Sequence, residues 1–313
     1  MVQTQLLPYG PEAIAEAARL IRAGLPVAVP TETVYGLAAD ATDGAAVARI
    51  YEAKGRPAFN PLIVHVRDLD QAMVLAEVDA AARNLAEIYW PGPLTLVLPV
   101  RNGSSAASLV TAGLPTIALR VPSHPAMRDL LAATGKPLAA PSANASGRIS
   151  PTRAEHVLAS LGGRIPLVVD AGPTAHGLES TIVAVGPEGL RLLRPGPIDL
   201  GLAASTTPGP IEAPGQLASH YAPGKPVRLE ASAAAADEWL IGFGEVRGDS
   251  SLSGSGDLVE AAAALFERLH EADGADRPRI AVAPIPDEGI GAAINDRLRR
   301  AAAPLRPGRP KVR

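Results

Sequence analysis

At 313 residues the chain exceeds what a single core usually supports, so two domains are expected. Apolar residues make up 47% and charged residues 19%, which excludes a disordered polyelectrolyte, and a formal net charge of −3 excludes a global pull on polyanions, leaving phosphate recognition to a local cluster of basic side chains. The absence of cysteine excludes disulfides, thiolate nucleophiles and thiolate-bound zinc and fits a reducing, cytoplasmic setting; no apolar run reaches bilayer length, and no charged N-terminal region leads into an apolar one.

The predicted elements open with a helix that has Pro11 at its first turn, an apolar stripe of Ile14, Ala17, Ala18 and Ile21, and Gly24 as its stop. Pro26 to Pro30 then reads as a buried strand, with Thr31 to Gly36 as a loop at its C-terminal end, the edge where α/β sheets bind ligands. A helix over Gly44–Lys54, a strand over Leu62–Val66, helices between Asp68 and Tyr89, and strands over Leu94–Leu98 and Thr116–Val121 continue the alternation, which predicts an α/β layer architecture. A strand over Pro137–Pro141 leads through a loop to a helix over Pro151–Leu161, with Ser150 as its N-cap and Gly162 past its end. Short strands at Leu167–Asp170, Thr181–Val185 and Leu190–Leu193 close the first domain, taken as 1–198.

Residues 197–225 hold five prolines and four glycines with little periodicity, which predicts an irregular linker over 199–225 and the domain boundary with it. Beyond it, strands at Pro226–Leu229, Glu238–Phe243 and Arg279–Ala283 alternate with helices at Asp257–Ala272 and Ile290–Ala302, the pattern of a small parallel sheet over 226–304. Gly248–Gly256 reads as a flexible loop and 305–313 as a basic tail.

Neither GxxxxGK[ST] nor GxGxxG occurs, nor HExxH nor GxSxG, so the common nucleotide and hydrolase signatures are missing. Dense polar segments stand instead at predicted strand ends: PTETVYG from Pro30, KGRP from Lys54 running on to Asn60 and His65, WPGP from Trp90, PSANASG from Pro141 leading to Ser150, and EST from Glu179 followed by RPG from Arg194. Taken singly, each has a plain structural reading. Thr31, Thr33, Ser142 and Asn144 suit turns, Lys54 and Arg56 suit a solvated helix end, and His65 within LIVHV suits a satisfied core histidine.

In joint order and spacing, PTETVYGL, K-x-R-P with NPLIVHV, WPGPLTLVL, ALRVPSHP, PSANASGRISPT, and ESTIV with LRPG resemble the YrdC-like family, the threonylcarbamoyl-AMP synthases, over about Gly10 to Pro226. The extra C-terminal part is similar to the two-domain form. The resemblance implies a YrdC-like twisted mixed sheet with helices, plus a smaller Rossmann-like α/β C-terminal domain. It also implies synthesis of threonylcarbamoyl-AMP from L-threonine, bicarbonate and ATP, with release of pyrophosphate, for N6-threonylcarbamoyladenosine in tRNA.

By the same resemblance, Lys54 and Arg56 hold the triphosphate and serve as catalytic residues, and Asn60, Thr116, Ser142, Ser150, Arg194 and Tyr221 complete the ATP site. Threonine falls to Thr33, His65, Arg120, Ala140 and Ser180. Mg2+ is expected on the phosphates, although no carboxylate cluster marks a metal site. Downstream tRNA threonylcarbamoyl transfer proteins are implied partners, and direct tRNA binding stays open. Attack of an anionic carbamate on an anionic phosphate calls for concentrated positive charge and positioning rather than a covalent nucleophile.

Ser219-His220-Tyr221-Ala222-Pro223 resembles the family's HYAP motif, in which the tyrosine reaches back over the nucleotide as a lid; a tyrosine packed at a domain interface is the plain alternative. Gln216 departs from the methionine expected in the lead-in to that motif. Two other functions stay open on the residues: a nucleic-acid-binding module, against which an aromatic content of 3% speaks, and carbamoyl transfer onto another protein.

Overall fold

The structure, a computed structural model, describes residues 2–202, 211–216 and 219–303. The expected basic tail at 305–313 and part of the expected linker, at 203–210 and 217–218, lie outside the described residues. In chain order the larger sheet and its helices run β1 (Gln5–Pro8), α1 (Pro11–Arg22), β2 (Val27–Pro30), β3 (Tyr35–Asp40), α2 (Gly44–Lys54), β4 (Ile63–His65), α3 (Leu69–Leu75), α4 (Ala80–Tyr89) and β5 (Leu94–Pro99). They continue as α5 (Ser108–Thr111), β6 (Thr116–Arg120), α6 (Pro125–Thr134), β7 (Leu138–Ala139), α7 (Ala154–Leu161), β8 (Leu167–Asp170), β9 (Thr181–Gly186) and β10 (Gly189–Arg194).

These strands form one ten-stranded mixed sheet in the order β1-β8-β2-β3-β7-β4-β6-β5-β9-β10. Helices cover both faces. On one, α1 and α6 pack Ile14, Ala17, Ile21, Met127 and Leu130 against Val27, Val29 and Val169, while the other carries a larger cluster built on Leu37, Leu62, Leu94 and Leu96. Each such fully buried leucine contributes about 1.5–3 kcal/mol of hydrophobic stabilisation.

A second, four-stranded sheet comprises β11 (Val227–Arg228), β12 (Glu238–Gly242), β13 (Ser250–Ser251) and β14 (Arg279–Val282) in the order β11-β14-β12-β13, all parallel. Helices α8 (Leu258–Gly274) and α9 (Ile290–Ala302) pack with it. The small parallel sheet read from the sequence is therefore present, with one extra pairing at Ser250–Ser251 inside the segment expected to be a loop.

Three local readings are corrected. Thr31–Gly36 is not all loop: Tyr35 and Gly36 already belong to β3, which pairs antiparallel with β2 so that Pro30 faces Tyr35 across a four-residue turn. Ser150 is not an N-cap. Helix α7 starts at Ala154 behind Arg153, and the Ser150 hydroxyl is taken instead by Glu179, 2.5 Å away. Strand β1 and helices α5 and α6 were not expected; α6 has Pro125 in its first turn and Gly135 in the left-handed region at its end, the punctuation seen at α1.

Candidate active site

Two local devices place the first site residues. Thr31 closes the β2–β3 turn, its hydroxyl donating to the Val34 carbonyl at 2.7 Å and accepting from the Thr33 and Val34 amides at 3.2 Å, which turns Thr33 inward. Helix α2 is capped by Asp43 and ends at Gly55 in the left-handed region (φ 59°), so the chain reverses there and carries Arg56 into the protein. Both threonines and Arg56 line a pocket with His65, Arg120, Ala140, Ser142, Ser180, Arg194 and Tyr221.

One end of this cavity is built on Arg120. It closes β6 beside His65 of β4, its direct cross-strand neighbour. Arg120 Nε donates to the Gly92 carbonyl at 3.2 Å, Nη1 to Thr33 Oγ1 at 3.0 Å, and Nη2 stands 2.6 Å from Glu32 Oε1. Burial alone would push the Glu32 carboxyl up, but the charge and hydrogen bond of Arg120 outweigh it and hold it at about 2. Burial, and after it the charge of Arg120, push His65 down to about 3, so its ring is neutral, and neither nitrogen has a protein partner among the described residues. Gly36 opposite is closely packed, since a β-carbon there would lie 3.3 Å from the Ala140 methyl.

The other end is cationic. Arg56 donates to the carbonyls of Asn60 at 3.3 Å and Pro61 at 3.0 Å, and Arg194 to the Ser180 carbonyl and hydroxyl at 2.8–3.0 Å. Lys54 lies behind them, donating to the carbonyls of Ser142 and Asn144. All three are buried, and among the described residues no carboxylate pairs with any of them. Burial pushes Arg56 down to about 10 and lowers Arg194 and Lys54. Three cations held without counter-charge are costly unless an anion joins them.

Lys54, Asn60, Thr116 and Ser150 do not line the cavity. Lys54 pins the 142–144 loop, and Asn60 gives its carbonyl to Arg56 and to the Tyr51 hydroxyl while its side-chain oxygen is buried with no partner among the described residues. Thr116 is half-buried at the start of β6. Ser150 reaches the wall only through Glu179, which itself lines the cavity and is paired at 3.0 Å with Arg297 of α9. Glu32, Glu179 and Arg297 were not picked out from the sequence as site residues.

The segment after β10 forms the roof. Pro214, Gly215, His220 and Tyr221 line the cavity, and Tyr221 is fully buried with a left-handed backbone (φ 61°). Its ring meets His220 edge-on at 4.1 Å and lies 5.4 Å beneath the Arg297 guanidinium. Gly215 is obligatory: at φ 86° a β-carbon would fall 2.9 Å from both Tyr221 Oη and Arg194 Cδ. Gln216, at the unexpected position, closes this turn with its side-chain oxygen, which accepts from the Glu212 and Ala213 amides at 2.8 and 3.1 Å.

The carboxylates present do not fit a protein-held Mg2+. Glu179 is engaged by Ser150 and Arg297, Glu32 by Arg120, and among the described residues no group of three or more metal-ligating side chains gathers. No helix among them is long and apolar enough to cross a membrane.

All six histidines are held below their ordinary value of 6.5, each chiefly by burial. Below pH 6.5 the unfolded chain therefore binds protons that the folded chain refuses, and this loss of stability continues down to about pH 3, where His65 and His156 titrate. The melting temperature is expected to be highest above pH 7 and to fall steadily from pH 6.5 to pH 4, more shallowly in His65→Gln; a flat profile would contradict the buried neutral rings.

The family model Sua5_yciO_yrdC, described as telomere recombination, matches residues 19–196, and Sua5_C, described as the threonylcarbamoyl-AMP synthase C-terminal domain, matches 181–303. The threonylcarbamoyl-AMP synthase of Bacillus subtilis is 40% identical over 323 aligned positions, covering 92% of each chain. That of Pyrococcus abyssi is 38% identical over 91% of this chain and 93% of its own. The crystal structure of P. abyssi Sua5 complexed with L-threonine superposes with a TM-score of 0.86 at 36% identity, over 96% of this chain and 97% of that one. The pocket and the described residues of the segment that roofs it fall within residues 19–303 matched by the two family models, and the chain belongs to the Sua5/YrdC family of threonylcarbamoyl-AMP synthases, in its two-domain form.

Proposed function

We propose that the chain makes threonylcarbamoyl-AMP from L-threonine, bicarbonate and ATP, releasing pyrophosphate, for threonylcarbamoyladenosine in tRNA. The observation that carries the reading is the pairing, in one pocket, of a cationic end at Arg56 and Arg194, with no ion-pair partner among the described residues, with a neutralised, hydrogen-bonding end at Arg120, Thr33 and His65. The first suits a triphosphate and the second an amino acid, and the solved relative that carries L-threonine supports the second. Threonine's amine and bicarbonate give a carbamate and water; a carbamate oxygen then bonds to the α-phosphorus of ATP as the bond to pyrophosphate breaks.

Arg56 and Arg194 offset the charge that collects on the phosphates, and Lys54 fixes the Ser142 loop beneath them. Asn60, Thr116, Ser142 and Ser150 complete the nucleotide site. Arg120 takes the threonine carboxylate, while Thr33, His65, Ser180 and the backbone at Ala140 take the remainder. His65, its ring neutral, offers threonine a hydrogen-bonding partner, since neither nitrogen has a protein partner among the described residues. Tyr221 closes the roof and keeps water from the mixed anhydride. Mg2+ would travel on the phosphates, where it would offset part of their charge.

The proposed units are a catalytic domain at 1–198, a lid linker at 199–225 and a small α/β domain at 226–304. A cytoplasmic setting and transfer onto tRNA by separate proteins complete the reading. A groove for RNA is disfavoured because Arg56 and Arg194 are only 8% and 3% exposed, beyond the reach of a nucleic-acid backbone. The test is pyrophosphate release from ATP with threonine and bicarbonate added singly and together. Release only when both are present is expected; equal release without threonine overturns the reading.

A further inference from the structure

The two ends of the cavity differ in how their arginines are matched. Among the described residues Arg56 and Arg194 have no carboxylate partner, whereas Arg120 has the carboxylate of Glu32 at 2.6 Å. Glu32 and Arg120 are 6% and 3% exposed, and Glu32 is absent from the cavity wall, so it meets a ligand only through Arg120. The hydrogen bonds from Arg120 to Gly92 and Thr33 keep the guanidinium from turning toward the cationic end.

A lone guanidinium in a cavity that admits polyphosphates would be a trap for them. Phosphoryl and carboxylate oxygens fit its fork equally well, so the more highly charged anion would prevail. Paired with Glu32, Arg120 forms a unit with no net charge. A polyphosphate drawn to the guanidinium then meets a repulsion of the same order, and its surplus charge works against it. A singly charged carboxylate loses less, because the directional N–H donors remain.

We propose that Glu32 is a specificity-determining residue, which by neutralising Arg120 reserves that end of the cavity for a carboxylate and excludes from it the triphosphate and its pyrophosphate product. This rests on the assignment of Arg120 to the threonine carboxylate made above. Glu32→Gln is the informative variant, since it keeps an acceptor oxygen beside Arg120 and removes only the charge.

Threonine is titrated calorimetrically into the full chain with and without inorganic pyrophosphate. In the unaltered protein the affinity for threonine is expected to be the same in both titrations. In Glu32→Gln, pyrophosphate is expected to weaken threonine binding by at least about tenfold, because it now occupies the Arg120 end. Threonine binding in Glu32→Gln that ignores pyrophosphate overturns the proposal, as does competition already present in the unaltered protein. A purely structural Glu32 would weaken both titrations alike, which also overturns it.

Should Glu32→Gln fail to fold, Glu32→Ser removes the same charge and leaves space for water beside Arg120, with the same two outcomes. Arg120→Ala separates the two levels of the argument. If it binds threonine normally, the assignment of Arg120 falls and the proposal with it; if it loses threonine while Glu32→Gln shows no competition, only the role of Glu32 falls.

Discussion

Arg56→Ala is expected to lower threonine- and bicarbonate-dependent pyrophosphate release by at least about a thousandfold in a protein that stays folded, in line with the loss of a preorganised charge at a transferring phosphoryl group. The guanidinium is buried, it donates to two neutral carbonyls, and among the described residues no carboxylate depends on it. Removing it strands the Pro61 carbonyl, at about 1–3 kcal/mol, while the Asn60 carbonyl keeps the Tyr51 hydroxyl, and at the same time relieves the burial of a cation without an ion-pair partner. Stability therefore changes little while the phosphates lose a principal counter-charge.

Lys54→Ala is expected to abolish release as well, but with a clear fall in melting temperature. Lys54 does not line the cavity; it ties together the Ser142 and Asn144 carbonyls, and the loop carrying Ser142 loosens without it. Calorimetry alongside the release assay distinguishes the two variants. Wild-type turnover in Arg56→Ala would remove that residue from the phosphate site, and an unchanged melting temperature in Lys54→Ala would remove the tie.

The alternation of strand and helix was legible because the apolar periods are clean: α2 and α9 fall on Gly44–Lys54 and Ile290–Ala302, as read from the sequence. What escaped had specific causes. Tyr35 and Gly36 sit in a motif so polar at its start that the strand beginning inside it was masked, and β3 became visible only through its pairing with β2. Ser150 followed by Pro151 has the local signature of a helix start, and a tertiary partner, Glu179, won the serine hydroxyl.

The site divides in the same way. Residues standing in dense motifs, such as Thr33, Arg56, Arg120 and Arg194, could be named from the sequence and do line one cavity. Glu32 and Glu179 were in plain view inside those motifs, but their worth lies in neutralising arginines distant in sequence, which spacing cannot show. Arg297 did leave a trace. Ile290, Ala293, Ile294, Leu298 and Ala301 mark the apolar stripe of α9, and Arg297 falls within it at helical spacing, a charge where a hydrophobe belongs.

That misplaced charge carries the second large effect. Arg297 has no solvent exposure; it pairs with Glu179 at 3.0 Å and with Asp296 at 3.0 Å, donates to the Pro195 carbonyl at 2.8 Å, and covers the Tyr221 ring. Asp296 has Arg300 as a second partner at 2.9 Å, whereas the only ion pair of Glu179 among the described residues is with Arg297. Arg297→Ala is therefore expected to destabilise the fold by about 3–5 kcal/mol, the usual cost of leaving one buried charge unpaired, and to impair release as Tyr221 loses the cation above its ring. Adding Glu179→Gln removes the stranded charge while keeping an acceptor for Ser150, so the double variant should recover much of the stability measured by denaturant unfolding. Turnover should stay low, because nothing restores the contact to Tyr221. Recovery of both together would mean that Arg297 serves the fold alone, and an Arg297→Ala protein as stable as the parent would mean that the two sheets are not joined through this pair.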